Sequence, residues 1–254
     1  MPTIHVEQQG RVVIFTLEGD NDLNLGVVND EFHQRLLEYR DNDDLWCAVV
    51  IGAGERAFTA GADMRSMSSG GSKRTPWTPK PIDLLNGVEF WKPIIAAING
   101  YALGQGMMLA LACDIRIAAE TASFGLPEVK YGFAPGSGAT QRIPRVMPIG
   151  PALEMLMTGD RISAQEAYHW GLVNRVVPFD QLRSSAIELA ERITRNPPLA
   201  VRSVKELALR GREVPLEHGL RLESLLHHVG VETADAKEGT RAFAEKRSPQ
   251  FEGR

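Results

Sequence analysis

Apolar and polar positions divide the chain into two regimes. In the first, short apolar or β-branched runs alternate with longer stretches of helical period. The runs "VVIFTL" (12–17), "CAVVIG" (47–52), "IIAAIN" (94–99), "DIRIAA" (114–119) and "LVNRVV" (172–177) read as strands. Helical patterns cover 25–40, 104–113 and 151–159. "SAQEAYHWG" (163–171) opens with Ser163 and Glu166 in capping-box spacing, and Gly171 can close it. Strands that alternate with helices predict an α/β domain with buried, largely parallel pairing. The second regime starts near Phe179 and is nearly all helical. "FDQLRSSAIELAERITRN" and "PLAVRSVKELALRG" are amphipathic, and two further helices follow through 246. The segment 66–83, rich in Ser, Gly, Pro and Lys, reads as a surface loop.

Composition narrows the class. A chain of 254 residues can bury one large core with a smaller appendage. Its net charge of −4 gives no electrostatic reason to expect nucleic acid or an anionic membrane. The two cysteines, Cys47 and Cys113, sit among apolar neighbours and read as buried thiols in a reducing compartment. The six histidines form no metal-binding spacing, and the adjacent His227 and His228 read as helix surface. No apolar run approaches the length of about 20 residues that spans a bilayer. The N-terminus has no leader pattern, so the expectation is a soluble, cytoplasmic protein.

Three segments carry candidate chemistry. "GAGERA" (52–57) has the G-x-G-x-x-A spacing of a dinucleotide turn, but no amphipathic helix and no acidic residue follow where that fold needs them. A strand-end turn is the better reading. "AFTAGADM" (57–64) and "ALGQGMM" (102–108) each place small residues after a strand, where backbone N–H groups lie open. Two such turns facing one another would hold an oxygen that gains negative charge, although glycines at such junctions also serve close packing. In "FGLPEVKYGFAPGSGATQRIPR" (124–145), Glu128 has apolar company, which raises a carboxyl pKa and suits acid–base work. A surface position, or pairing with Lys130 or Arg142, is its other reading. Asp63 and Asp114 read as turn or capping residues.

In order along the chain, "AFTAGADM", "PIIAAINGYALGQGMMLALACDIRIAAETASFGLPEVKYGFAPGSGATQRIPR", "MLMTGDRISAQEAYHWGLVNRVV" and "EGTRAFAEKRSPQF" resemble the crotonase family, the enoyl-CoA hydratase/isomerase superfamily. The resemblance implies an α/β, crotonase-like spiral of ββα repeats over 1–195. It implies a C-terminal α-helical trimerisation region over 196–254, assembling homotrimers or hexamers that are dimers of trimers. It implies an acyl-CoA substrate, with no cofactor beyond the coenzyme A of the substrate and no metal. By motif position the oxyanion donors are the N–H groups of Ala62 and Gln105. CoA contacts fall on Leu23, Asn24, Ala60, Ala62 and Arg65, with Phe243 and Lys246 reaching in from a neighbouring subunit. Met108, Trp91 and Phe133 are candidates for the acyl pocket.

Two departures matter. Hydratases of the family use two glutamates; one matches Glu128, and the other falls on Met108, whose thioether cannot take a proton from water. The Δ3,Δ2-enoyl-CoA isomerases keep the glutamate matching Glu128 and an apolar residue at the other position. The resemblance therefore implies a double-bond isomerase, with a hydratase lacking its second glutamate as the alternative. The N-terminal turn is also shortened to Leu23-Asn24-Leu25. A non-catalytic role, binding CoA esters or RNA, is the reading from another class. The mixed charges of 180–195 argue against RNA.

Overall fold

Alternation inside the apolar runs sets the layers. In the computed structural model, which describes residues 2–62 and 89–254, one sheet has the strand order β1-β2-β3-β5-β7-β10. Its members are β1 (Thr3–Gln9), β2 (Val12–Glu18), β3 (Cys47–Gly52), β5 (Ile94–Ile98), β7 (Ile115–Ala119) and β10 (Arg175–Val177). The β1–β2 pair is antiparallel, and every other pair in this sheet is parallel. A strand turns successive side chains to opposite faces. Val12, Ile14, Cys47, Val49, Ile95 and Ile117 therefore meet Leu182, Ala186 and Ala190 of a helix at Phe179–Thr194. Val13, Phe15, Val50, Ala96 and Ile98 face the larger core, with Phe32, Leu36 and Tyr39 of α1 (Asp30–Asp41). Both faces are covered, which is why these runs show no polar alternation.

A second sheet of shorter strands has the order β4-β6-β8-β9, from Ala57–Thr59, Tyr101–Leu103, Ser123–Gly125 and Ile162–Ser163. β4, β6 and β8 pair in parallel, as do β3, β5 and β7. Each turn of the chain thus lays one strand in each sheet and then leaves it. After β6 comes α2 (Gln105–Ala112), and after β8 a 3-10 turn (Pro127–Tyr131), α3 (Ala139–Val146) and α4 (Ile149–Thr158). The remaining helices are α5 (Ala164–His169), α6 (Phe179–Thr194), α7 (Pro198–Gly211), α8 (Leu216–Val231) and α9 (Ala234–Ala244).

Several sequence expectations hold, and some shift. The capping box at Ser163 and Glu166 is formed. Cys47 and Cys113 are buried free thiols, and burial pushes Cys113 up to about 12. "GAGERA" is a turn between β3 and β4, with no helix behind it. The helix predicted over 25–40 begins later, at Asp30, where the Asn29 side chain accepts the Phe32 N–H. Its first apolar residues belong to a turn in which Asn24 (φ 50°) and Gly26 (φ 69°) are left-handed. The strand predicted over 172–177 is confined to Arg175–Val177. Asp63, Arg65 and the 66–83 loop lie outside the described residues.

Candidate active site

The site starts from a polar latch in an apolar setting. The Asn24 side chain, 2% exposed, accepts the Gly19 N–H (3.1 Å) and donates to the carbonyls of Ala53 (2.9 Å) and Ala57 (2.8 Å). Buried Thr59 donates its hydroxyl to the Asn24 carbonyl (2.6 Å) and accepts the Gly61 N–H (3.1 Å). The Ala60 N–H donates to the Leu23 carbonyl (2.9 Å), and the Gly26 N–H to the Gly61 carbonyl (3.0 Å). These bonds engage the Ala60 and Gly61 N–H groups as the chain leaves β4. The next amide, that of Ala62, has no acceptor among the described residues.

The second turn packs directly on the first. A Cβ on Gly106 would lie 2.0 Å from the Thr59 carbonyl oxygen, so α2 can be pressed against β4 only with glycine there. A Cβ on Gly61 would lie 3.1 Å from the Gln105 nitrogen, which puts the two turns in contact. Gln105 is the first residue of α2, and its N–H also lacks an acceptor among the described residues. The first amides of a helix have no intrahelical partner, and they carry the positive end of its dipole. Among the described residues, two amides without an acceptor thus share one locality, with the helix dipole adding to their pull on an oxygen.

The third segment supplies a carboxylate. Pro127 starts the 3-10 turn with its ring fixing φ, and left-handed Gly132 closes it by donating to the Val129 carbonyl (3.2 Å). Glu128 is held there at 8% exposure, and its Oε2 is buried with no hydrogen-bond partner among the described residues. Its Oε1 would stand 3.0 Å from a Cβ on Gly104, the residue before Gln105. Burial pushes its carboxyl above the usual range. Neither cation weighed from sequence pairs with it. Lys130 binds Asp160 at 2.6 Å, and Arg142 donates to the Ser137 carbonyl at 2.9 Å. Asp114 has the structural role expected, accepting the Ile94 N–H and the Lys205 ammonium, each at 2.8 Å.

The other candidates are scattered. Met108 is buried one turn into α2, its N–H donating to the Gly104 carbonyl (2.9 Å). Phe133 is 45% exposed, and Phe243, near the end of α9, is 86% exposed. Lys246 is exposed just beyond α9, with its backbone left-handed (φ 53°). Trp91 lies under the Arg210 guanidinium (4.9 Å) and lines a cavity of about 1110 Å³ between α7 and the far end of α2, together with Leu111, Cys113 and Val204. That cavity touches neither Glu128 nor Gln105. Among the described residues no cluster of His, Cys, Asp and Glu is suited to a metal. Thr59 and the Asn24 latch escaped sequence reading as parts of the site's frame; a buried Thr in an otherwise apolar strand was the available signal.

Two neighbouring turns whose Ala62 and Gln105 amides have no acceptor among the described residues, beside a buried carboxylate, form a set that can remove a proton next to a carbonyl and hold the resulting enolate. Comparison with known proteins identifies the family. The sequence model of the family described as enoyl-CoA hydratase/isomerase matches residues 7–254. Carnitinyl-CoA dehydratase of Salmonella typhi is 39% identical over 258 residues, covering 99% of each chain. The crystal structure of an enoyl-CoA hydratase from Bacillus anthracis superposes with a TM-score of 0.91 at 39% identity, over 99% of each chain. An enoyl-CoA hydratase from Mycobacterium marinum gives 0.90 at 34% identity, over the full length of both.

Proposed function

The chain belongs to the enoyl-CoA hydratase/isomerase family, and on that premise we propose that it is a one-glutamate Δ3,Δ2-enoyl-CoA isomerase. The family is one of enzymes acting on CoA thioesters. The observation that carries the finer reading is a buried Glu128, whose Oε2 has no hydrogen-bond partner among the described residues, together with a thioether, Met108, where a second glutamate would fall. The Glu128 carboxylate takes a proton from C2 of a 3-enoyl-CoA. The C–H electrons move into the thioester, whose oxygen is held by the Ala62 and Gln105 amides. Protonated Glu128 then returns the proton at C4, and the double bond moves from C3–C4 to C2–C3. One carboxylate suffices because the proton removed is the proton delivered, and no water is consumed. Each amide in an arrangement of this kind is worth about 2.7–4 kcal/mol of transition-state stabilisation.

In this reading CoA is part of the substrate, and no resident cofactor takes part. Leu23, Ala60, Phe243 and Lys246 border the CoA chain, with Asn24 acting through the turn it latches; Arg65 is assigned to CoA by motif position alone. The protein works as a homotrimer, or as a hexamer of paired trimers, in the cytoplasm. Helix α8 supports assembly: it has no buried residue and leaves Leu216 76% and Val229 66% exposed. No described helix is long and apolar enough to cross a membrane.

The relatives named above, a dehydratase and hydratases, favour a second reading, hydration of a 2-enoyl-CoA or the reverse dehydration, with Glu128 alone activating water. A paired assay separates the two. Isomerisation gives a gain of conjugated-enoyl absorbance from a trans-3-enoyl-CoA and no change with a trans-2-enoyl-CoA. Loss of that absorbance from the trans-2 substrate overturns it in favour of hydration.

A further inference from the structure

The C-terminal residues are tied to α9 at three points. At the start of the helix, buried Asp235 (2% exposed) accepts the Glu252 N–H on Oδ1 and the Gly253 N–H on Oδ2, each at 2.8 Å. Its own N–H donates to the Arg254 carbonyl (3.0 Å). In mid-helix, Glu238 accepts the Gln250 N–H (3.0 Å) and a two-pronged bond from Arg247 (2.6 and 2.9 Å). Between these ties the Phe251 ring lies over Gly239, where a Cβ would be 3.6 Å away. The tail thus doubles back along α9 and ends beside Pro198, at the start of α7.

The reversal that makes this possible is at Lys246. Its N–H donates to the Phe243 carbonyl (3.2 Å) and the Arg247 N–H to the Ala242 carbonyl (3.1 Å), with Lys246 itself left-handed. That conformation is uncommon for a lysine and persists only when its surroundings fix it. Here the residues after it are fixed, by Glu238 and by Asp235. What the reversal leaves outside is the exposed pair Phe243 and Lys246, the residues read above as contacts to CoA.

We propose that residues 247–254 are a latch, with Asp235 as its positioning residue, that holds Phe243 and Lys246 for the nucleotide end of CoA. Asp235 touches no substrate and acts through the tail. The inference rests on the assignment of Phe243 and Lys246 to CoA, and is independent of which reaction Glu128 performs.

The test is calorimetric binding of butyryl-CoA, a saturated thioester that cannot isomerise or hydrate, and of butyryl-pantetheine, which lacks the nucleotide. Asp235→Asn is expected to weaken butyryl-CoA binding about tenfold, to match Lys246→Ala, and to leave butyryl-pantetheine unchanged. A merely structural defect would weaken both ligands together, and that result overturns the proposal. So does wild-type affinity for butyryl-CoA in Asp235→Asn. Should that variant not fold, Phe251→Ala and Glu238→Gln loosen the tail at the other ties and carry the same expectation. If Lys246→Ala itself binds butyryl-CoA like wild type, the CoA assignment fails and the latch with it. If Lys246→Ala is weakened and the tail variants are not, the latch alone fails.

Discussion

Glu128 and Gly104 come from different turns of the chain, yet Glu128 Oε1 would stand 3.0 Å from a Cβ on Gly104. The carboxylate is thereby held against the residue that precedes the Gln105 amide. Gly104 also has φ 53° and ψ −119°, a region essentially closed to other residues. Gly104→Ala is expected to cost about 1–3 kcal/mol of stability from backbone strain. By displacing Glu128 it is expected to cost about 10²-fold in kcat, read from urea unfolding and steady-state rates. Equal stability loss with full kcat would separate Gly104 from the site.

Burial makes Glu128 titrate above an ordinary carboxylate, and this has two consequences of known sign. The base form is lost on acidification from a higher pH than an exposed glutamate would need, so kcat/KM should fall toward acid with an apparent pKa raised above 4.5. For stability, a raised folded pKa means that the folded state holds the proton more tightly than the unfolded chain. Stability therefore falls as pH rises from the unfolded pKa through the folded one. Glu128→Gln is expected to lower kcat by about 10²–10⁴-fold. It should also raise Tm at neutral pH and leave it unchanged at pH values below the unfolded pKa. Thermal melts of both proteins across pH check the second half, and a lower Tm at neutral pH would contradict it.

Met108 bears on the reaction. Met108 is buried, and its N–H donates to the carbonyl of Gly104, the residue that Glu128 approaches. Met108→Glu is expected to add hydration of a trans-2-enoyl-CoA to the parent activity. A buried carboxyl there should cost about 1–3 kcal/mol of stability. Product analysis by chromatography reads the first effect and denaturant unfolding the second. A stable variant with no hydration would show that water has no place in this pocket.

The long strands were legible because each is apolar on both faces: Val12 and Ile14 meet α6 while Val13 and Phe15 meet α1. β4, β6 and β8 are three residues long, too short to display a period. The early start assigned to α1 has a similar cause, since Val27 is buried, but in the turn that Asn24 builds. Glu128 could be singled out because its chain neighbours are apolar. Its contact with Gly104 could not, because the parallel pairing of β6 with β8 brings the two segments together, not their spacing in sequence. Phe133 marks the opposite limit: close to Glu128 in sequence, it faces solvent.

Asn24 gives the last prediction, because its side chain is spent inside the chain. Replacing it with Ala removes the donor to Ala53 and the acceptor for Gly19, both part-buried, and places an alanine at φ 50°. The Ala57 carbonyl keeps a second donor, Asn99 Nδ2 at 3.0 Å, which limits the damage there. With one donor and one acceptor left short of partners, the loss is expected to be about 2–4 kcal/mol. Asn24→Asp should not rescue it, since an ionised carboxylate can accept from Gly19 but cannot donate to Ala53. Because the latch holds β4 and the turn before Ala62, both variants should lose kcat through the oxyanion hole more than they lose affinity for butyryl-CoA. Urea unfolding together with binding and rate measurements on the two variants checks this. Weakened binding at unchanged stability would instead make Asn24 a direct CoA contact.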